Sequence, residues 1–215
     1  MPCNVDNLHK IFFPKDLFFD RLGVMKKLLA ILVLVLILIT PSQANDIRDF
    51  QIEGMSIGDS LLDYVTKDEI EKRKDYFYKS KEYAAMSKGD PSFKVYGGFQ
   101  VHFKDNDRKY IIQSLDGMIL YKNNIKDCYK KMDEIVEELT GFFKDVKKSD
   151  KKTVDHAYDK SGKSKITFVD FIFKSGDSIT VECTDWSKES SYTDKLSVGL
   201  TTKKLKDWLN KDKNY

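Results

Sequence analysis

From Phe99 to Lys104 the chain alternates apolar Phe99, Val101 and Phe103 with polar Gln100, His102 and Lys104. That period of two predicts a strand with one covered face. A turn at "DNDR" leads to a predicted strand over Tyr110–Leu115. Asp116-Gly117 reads as a hairpin turn, because Gly accepts positive φ cheaply, and Met118–Tyr121 returns as a third strand. Upstream, Ser56 is a plausible cap for a short helix with Leu61, Leu62 and Val65 on its apolar side. Thr66-Lys67-Asp68-Glu69 has the form of a capping box, which predicts a second helix fading near Ser87, before Gly89-Asp90-Pro91. The clearest helix is "NNIKDCYKKMDEIVEELTGFF". There Ile125, Cys128, Tyr129, Met132, Ile135, Val136, Leu139 and Phe143 recur at three and four, forming one apolar stripe. "TVDHAY", "KITFVDFIFK", "SITVECTDW" and "YTDKLSVGL" predict further strands separated by turns at Gly162 and Ser175-Gly176-Asp177. "KKLKDWLN" predicts a short closing helix. Helices and strands come in blocks, not in alternation. The expected fold is therefore α+β, a mostly antiparallel sheet with helices packed on one face. A division into two small lobes, 45–121 and 122–215, is a second possibility.

One stretch obeys neither period. Leu28–Ile39 is an unbroken apolar run of 12 residues, preceded by Lys26 and Lys27 and followed by Pro41-Ser42-Gln43-Ala44. A charged end, a short apolar run and small residues at its close make a secretory signal over 25–44, with cleavage expected between Ala44 and Asn45. A membrane-crossing helix needs about 20 apolar residues. The competing reading retains Leu28–Ile39 as an inner-membrane anchor. Residues 1–24 show no structural period and read as an over-extended start or a disordered leader. The mature domain would be 45–215, or 171 residues, a length that suits one domain with a real core.

Composition narrows the classes of partner. The whole chain carries a net charge of +3; without the leader's five basic residues (Lys10, Lys15, Arg21, Lys26, Lys27) and three acidic ones (Asp6, Asp16, Asp20) the mature part carries +1. Such a balance lacks the concentrated basic face that nucleic acid requires, so no nucleic-acid partner is expected. Four of the 37 basic residues are Arg, which leaves few groups suited to gripping phosphate or carboxylate with two parallel hydrogen bonds.

Cys128 and Cys183 are the only cysteines after Ala44. Cys128 lies on the apolar stripe of the long helix. Cys183 shares a strand face with Ile179 and Val181, since residues two apart point the same way. If that helix covers that sheet, both sulfurs enter one layer and an oxidising compartment would join them, adding roughly 4 kcal/mol of stability in the chain-entropy model. The other reading is two buried thiols that never meet.

Other candidates are weaker. "DKSGKSK" contains the Gly-Lys-Ser that ends a phosphate-binding loop, but Ala157 stands where the earlier Gly is required, so a hairpin turn is expected. His102 and His156 fit no metal-ligand spacing, so neither metal nor other cofactor is expected; His102 reads as exposed and His156 as partly covered. "EKRKDYFYKSKEY" reads as the solvated side of a packed helix or as a strip touching an anionic membrane. Asp170 interrupts a strand that is apolar on both faces. Its Ile166, Phe168, Asp170 and Ile172 face is either a partner surface or is covered by another part of the chain.

"IRDFQIEGMSIGDSLLDYVTKDEI" and "SLDGMILYKNNIKDCYKKMDEIVEEL" are similar to small exported proteins of AT-rich marine alphaproteobacteria. "GMSIGDSLLDY" also resembles the Gly-Met-Ser/Thr helix start of small outer-membrane assembly lipoproteins. The resemblance implies export and names no activity. The expectation is a periplasmic or secreted, non-enzymatic domain that binds a protein or envelope component and meets the membrane only through its signal segment. The alternative is a secreted hydrolase of unrecognised type.

Overall fold

A computed structural model describes residues 46–122 and 124–212; the leader and the Ala44/Asn45 cleavage position lie outside them. Among the described residues the strands are β1 (Lys74–Asp75), β2 (Tyr83–Gly89), β3 (Gly98–Lys104), β4 (Ser114–Leu120), β5 (Lys147–Lys148), β6 (Lys152–Asp155), β7 (Lys165–Ile172), β8 (Ser178–Asp185) and β9 (Lys195–Thr201). The helices are α1 (Lys67–Arg73), α2 (Ile125–Phe142) and α3 (Lys203–Asp212). The fold is α+β. All nine strands join one sheet in the order β1-β2-β3-β4-β9-β8-β7-β5, with β6 also paired to β7, and every pairing is antiparallel. The pairing of β4 with β9 carries the sheet across the chain position at Lys122 without a break.

Register explains the core. Met86, Val101, Leu115, Leu200, Ile179 and Phe171 are successive cross-strand partners over six strands, and each is buried. Side chains directly opposite share a face, so this row is a continuous apolar band. Val198, Val181 and Val169 form a second row beside it. The stripe of α2 packs on β8 and β9, burying Cys128, Met132 and Leu139. The N-terminal stretch adds Ile47, Ile52, Met55, Ile57, Leu61 and Ile70 to the same core. Cys128 and Cys183, both fully buried, form a disulfide with their Cα atoms 6.1 Å apart, which ties α2 to β8. On α3, Leu205 and Trp208 pack instead against Tyr83, next to Ala84 but of opposite parity on β2.

Local signals place several boundaries. Thr66 Oγ1 accepts from the Glu69 amide at 3.3 Å and starts α1. Asn124 Oδ1 accepts from the Asp127 amide at 3.4 Å and starts α2. Four expectations are corrected. The first short helix is a single 3-10 turn, Leu61–Asp63, capped by Ser60 and not by Ser56. The second helix stops at Arg73, and Tyr83–Ser87 belongs to strand β2. Alanine, methionine and lysine favour helix in isolation, but an open edge of β3 offers backbone partners and a covered face for Ala84 and Met86, and packing overrides the weaker propensity.

The third correction is Asp116-Gly117, which lies in the middle of β4 and makes no turn. Gly117 is there for space: a Cβ would lie 2.7 Å from the Tyr96 ring. The Tyr96 segment is pinned from the far side. Glu53, held at φ +51°, accepts from the amides of Lys94, Val95 and Tyr96 at 3.1, 2.9 and 3.0 Å. The region read as a strand over Tyr110–Leu115 instead begins with Tyr110 at φ +50° and Ile112 bonded to the Asp59 carbonyl, so β4 starts only at Ser114.

Candidate functional site

The Ile166, Phe168, Asp170 and Ile172 face lies on the side of β7 turned away from Val169 and Phe171, and all four residues are half-buried. Their cross-strand partners on β8 are polar: Thr184, Glu182, Thr180 and Ser178. Asp170 Oδ1 accepts from Thr180 Oγ1 at 2.7 Å, so its carboxylate is engaged within the sheet. The same row continues through Gly199 to Asp116 and Gln100. The Asp116 side chain lies over Gly199, where a Cβ would meet its Oδ1 at 2.3 Å. Burial, and then the neighbouring Glu182 charge, push the Asp116 carboxyl up to about 7, against the pull of Lys195 and Ser114. Burial pushes Glu182 upward as well. The sequence reading missed Asp116, because its importance depends on a glycine directly opposite it on the neighbouring strand and 83 residues away in the chain.

His102 corrects the expectation of an exposed residue. It is 7% exposed, packed by Phe77 and Tyr78, and its Nε2 lies 3.2 Å from the Tyr78 hydroxyl. Burial lowers its pKa to about 4, so the ring is neutral at ordinary pH.

A concave feature among the described residues lies elsewhere. Two hairpin loops, 156–164 between β6 and β7 and 186–194 between β8 and β9, leave the same end of the sheet, since Lys165 pairs with Asp185 and Thr184 with Lys195. Between them is a recess of about 400 Å³ lined by Tyr158, Asp159, Lys163, Trp186, Glu189 and Tyr192 among others. The first loop is built on Asp159. Its carboxylate accepts from the Ser161 amide at 2.9 Å and from the Ser164 amide and hydroxyl at 2.9 and 2.6 Å. Those bonds, Ser161 first, hold the carboxyl well below the usual carboxylate range. Gly162 turns the chain at φ +70°, as the hairpin reading of "DKSGKSK" expects. The loops are joined to each other by Ser164, fully buried, whose Oγ accepts from the Ser187 amide at 2.9 Å. Across the mouth Lys163 Nζ and Glu189 Oε1 pair at 2.8 Å, each raising or lowering the other toward its charged form.

Aromatic rings cross from one loop to the other. Tyr158 meets His156 at 5.8 Å between centroids, His156 meets Trp186 at 4.1 Å, and Trp186 meets Tyr192 at 4.5 Å. His156 is partly covered, as expected, and burial lowers its pKa. Its Nδ1 accepts from the Tyr158 amide at 3.3 Å, which orients the ring. Tyr158 and Tyr192 are 61% and 67% exposed, so rings held at the two ends of a stacked chain stand in water. The sequence carries one signal for this site: Tyr158, Trp186 and Tyr192 occur inside turn-rich Ser, Gly and Asp segments, where small polar residues suffice for the turns themselves.

Among the described residues, no group of three or more His, Cys, Asp or Glu side chains is placed to hold a metal ion, and no helix is long and apolar enough to cross a membrane. Compared with protein-family models, characterised proteins and solved structures, the chain matches none of them.

Proposed function

We propose that this protein is an exported binding domain, periplasmic or secreted, which takes a protein or envelope component at the recess between loops 156–164 and 186–194. The observation that carries the reading is the aromatic chain Tyr158, His156, Trp186 and Tyr192, presented in a concave site by two loops locked together through Ser164. Concave sites with aromatic walls and a few placed polar groups are the usual form of a ligand site. Loops held by a rigid sheet are the usual place for one. The acids of the recess favour binding over hydrolysis. Asp159 spends both oxygens on the loop's own amides and hydroxyl, and Glu189 is paired with Lys163, so each has a positioning or rim role. Export is supported by the signal pattern over 25–44 and by a fully buried disulfide, a bond that oxidising compartments form and retain.

The test has two arms. N-terminal sequencing of the native protein should return a start at Asn45; a mature peptide containing Phe12 would contradict export with cleavage. The purified protein should retain material from an envelope extract, and the Trp186→Ala, Tyr192→Ala double variant should lose it. Equal retention by the variant and the parent would remove the recess from the function.

A further inference from the structure

We infer that the ligand of this recess is a neutral glycan, engaged through the faces of its pyranose rings; the inference rests on the binding role proposed for the loops. Three features of the site select this chemistry. The first is ring presentation. Trp186 is half-buried, its ring centroid 4.1 Å from His156 and 4.5 Å from Tyr192 at interplanar angles of 43° and 33°, so the rings open to a ligand are chiefly Tyr158 and Tyr192 at the ends of the stack, 61% and 67% exposed. Open rings held in place by a stack suit flat, moderately apolar surfaces such as the C–H face of a pyranose, which adds dispersion and hydrophobic contact without a charge.

The second feature is charge balance. The ionised groups lining the recess are Asp159, Lys163 and Glu189. Lys163 and Glu189 offset each other at 2.8 Å, and the Asp159 carboxylate is consumed by Ser161 and Ser164. A quaternary ammonium or basic peptide would need an uncompensated negative site beside the rings. A phosphorylated or acidic ligand would need an uncompensated cation or a guanidinium fork. The one cation on the lining, Lys163, is paired with Glu189, and Asp159, which keeps its charge, has both oxygens engaged by the loop's own donors, so no ionic group on the lining is without a hydrogen-bond partner. The third feature is the rim. Ser161, Ser187 and Ser190 line the recess beside the rings, with the Lys163 ammonium and the Glu189 carboxylate. Hydroxyls both donate and accept, the ammonium donates and the carboxylate accepts, which together match a ring carrying alternating hydroxyl groups. The volume, about 400 Å³, is toward the small end of ligand clefts. It admits a sugar ring or a short run of them.

The experiment titrates the full chain, purified from the fraction in which it accumulates, with maltohexaose, cellohexaose and chitohexaose. Intrinsic fluorescence reads binding. The two tryptophans are Trp186, in the recess, and Trp208, buried on α3, so the Trp208→Phe variant assigns the signal to the site. At least one oligosaccharide is expected to give a saturable change, with saturation-transfer NMR placing ring C–H hydrogens, not hydroxymethyl groups, closest to the protein. Read by saturation-transfer NMR, which does not depend on the Trp186 fluorophore, Trp186→Ala and Tyr192→Ala should each weaken it tenfold or more, and Tyr192→Phe should retain most of the affinity. Unchanged circular dichroism and melting temperature in the variants separate lost contact from lost fold. Tetramethylammonium and inorganic phosphate serve as charged probes. Saturable binding of either charged probe with no response to any sugar overturns the glycan assignment. If no sugar binds and the double variant still fails to retain envelope material, the recess binds a protein: the glycan inference falls while the binding role stands. If retention is also unaffected, both fall.

Discussion

Glu53 is the sharpest test of how this sheet is held. Its carboxylate accepts three consecutive backbone amides, Lys94, Val95 and Tyr96, from a segment 41 to 43 residues away. It does so from a left-handed backbone at φ +51°, a conformation that costs a non-glycine residue about 1–2 kcal/mol. A hydrogen bond to a charged group contributes about 1.5–3 kcal/mol net when shielded, and less in water. With the Lys94 bond exposed and the other two part-buried, Glu53→Ala should cost about 3 kcal/mol, because it leaves the amides unpaired and keeps the strained φ. Glu53→Gln keeps one carbonyl oxygen for Val95 and Tyr96 but loses the charge and the Lys94 bond, so about 1 kcal/mol is expected. Glu53→Gly loses the clamp but relieves the backbone, and should lie about 1 kcal/mol above the alanine variant. The expected order of stability is therefore parent, Gln, Gly, Ala. Urea unfolding followed by circular dichroism measures it. Hydrogen exchange should show the Val95 and Tyr96 amides losing protection first. Equal stability of the Ala and Gly variants would refute the strain argument, and a Gln variant as weak as Ala would refute the hydrogen-bond argument.

Three further outcomes are expected. Reducing the Cys128–Cys183 bond, which closes a loop with a sequence separation of 55, should lower unfolding free energy by about 4 kcal/mol; an unchanged urea midpoint in reductant would contradict this. Asp116 binds its proton more tightly when folded, at about 7, than an unfolded Asp does at about 3.9, so its contribution favours the fold below pH 4 and is lost as pH rises toward 7. Asp116→Asn should thus match the parent near pH 4 and exceed it above pH 7 by at most about 4 kcal/mol, and a variant-to-parent difference that does not change with pH would discard the shift. Gly117→Ala puts a methyl group 2.7 Å from the Tyr96 ring and should destabilise by about 1–3 kcal/mol, read as a lower melting temperature; a neutral result would mean the ring can move aside.

Hydrophobic period was a reliable guide where one element buries one face. The stripe of α2 and the alternation of β3, β7 and β8 are visible in the residues, because the side chains that pack are at fixed spacing within each element. The cysteine pair was legible for the same reason: each sulfur sits on the apolar side of its own element, and the two sides face one layer. The errors fall where the deciding contact is remote. Asp116-Gly117 has the composition of a turn, and only the Tyr96 ring, placed by Glu53, shows that Gly117 is there to make room. Tyr83–Ser87 has the composition of a helix until the β3 edge pairs with it. His102 is on the polar side of its strand, yet Phe77 and Tyr78 cover it.

By itself, then, the order of residues determined the element types with strong periodicity, the α+β class and the faces that meet at the disulfide, since these follow from spacing along a single segment. The tertiary structure alone decided the strand order that puts β9 between β4 and β8, the Asp116–Gly199 contact, and the meeting of His156 with Trp186 at one end of the sheet. Those depend on register between strands far apart in the chain, and register is an energy summed over the whole core, which no local pattern contains.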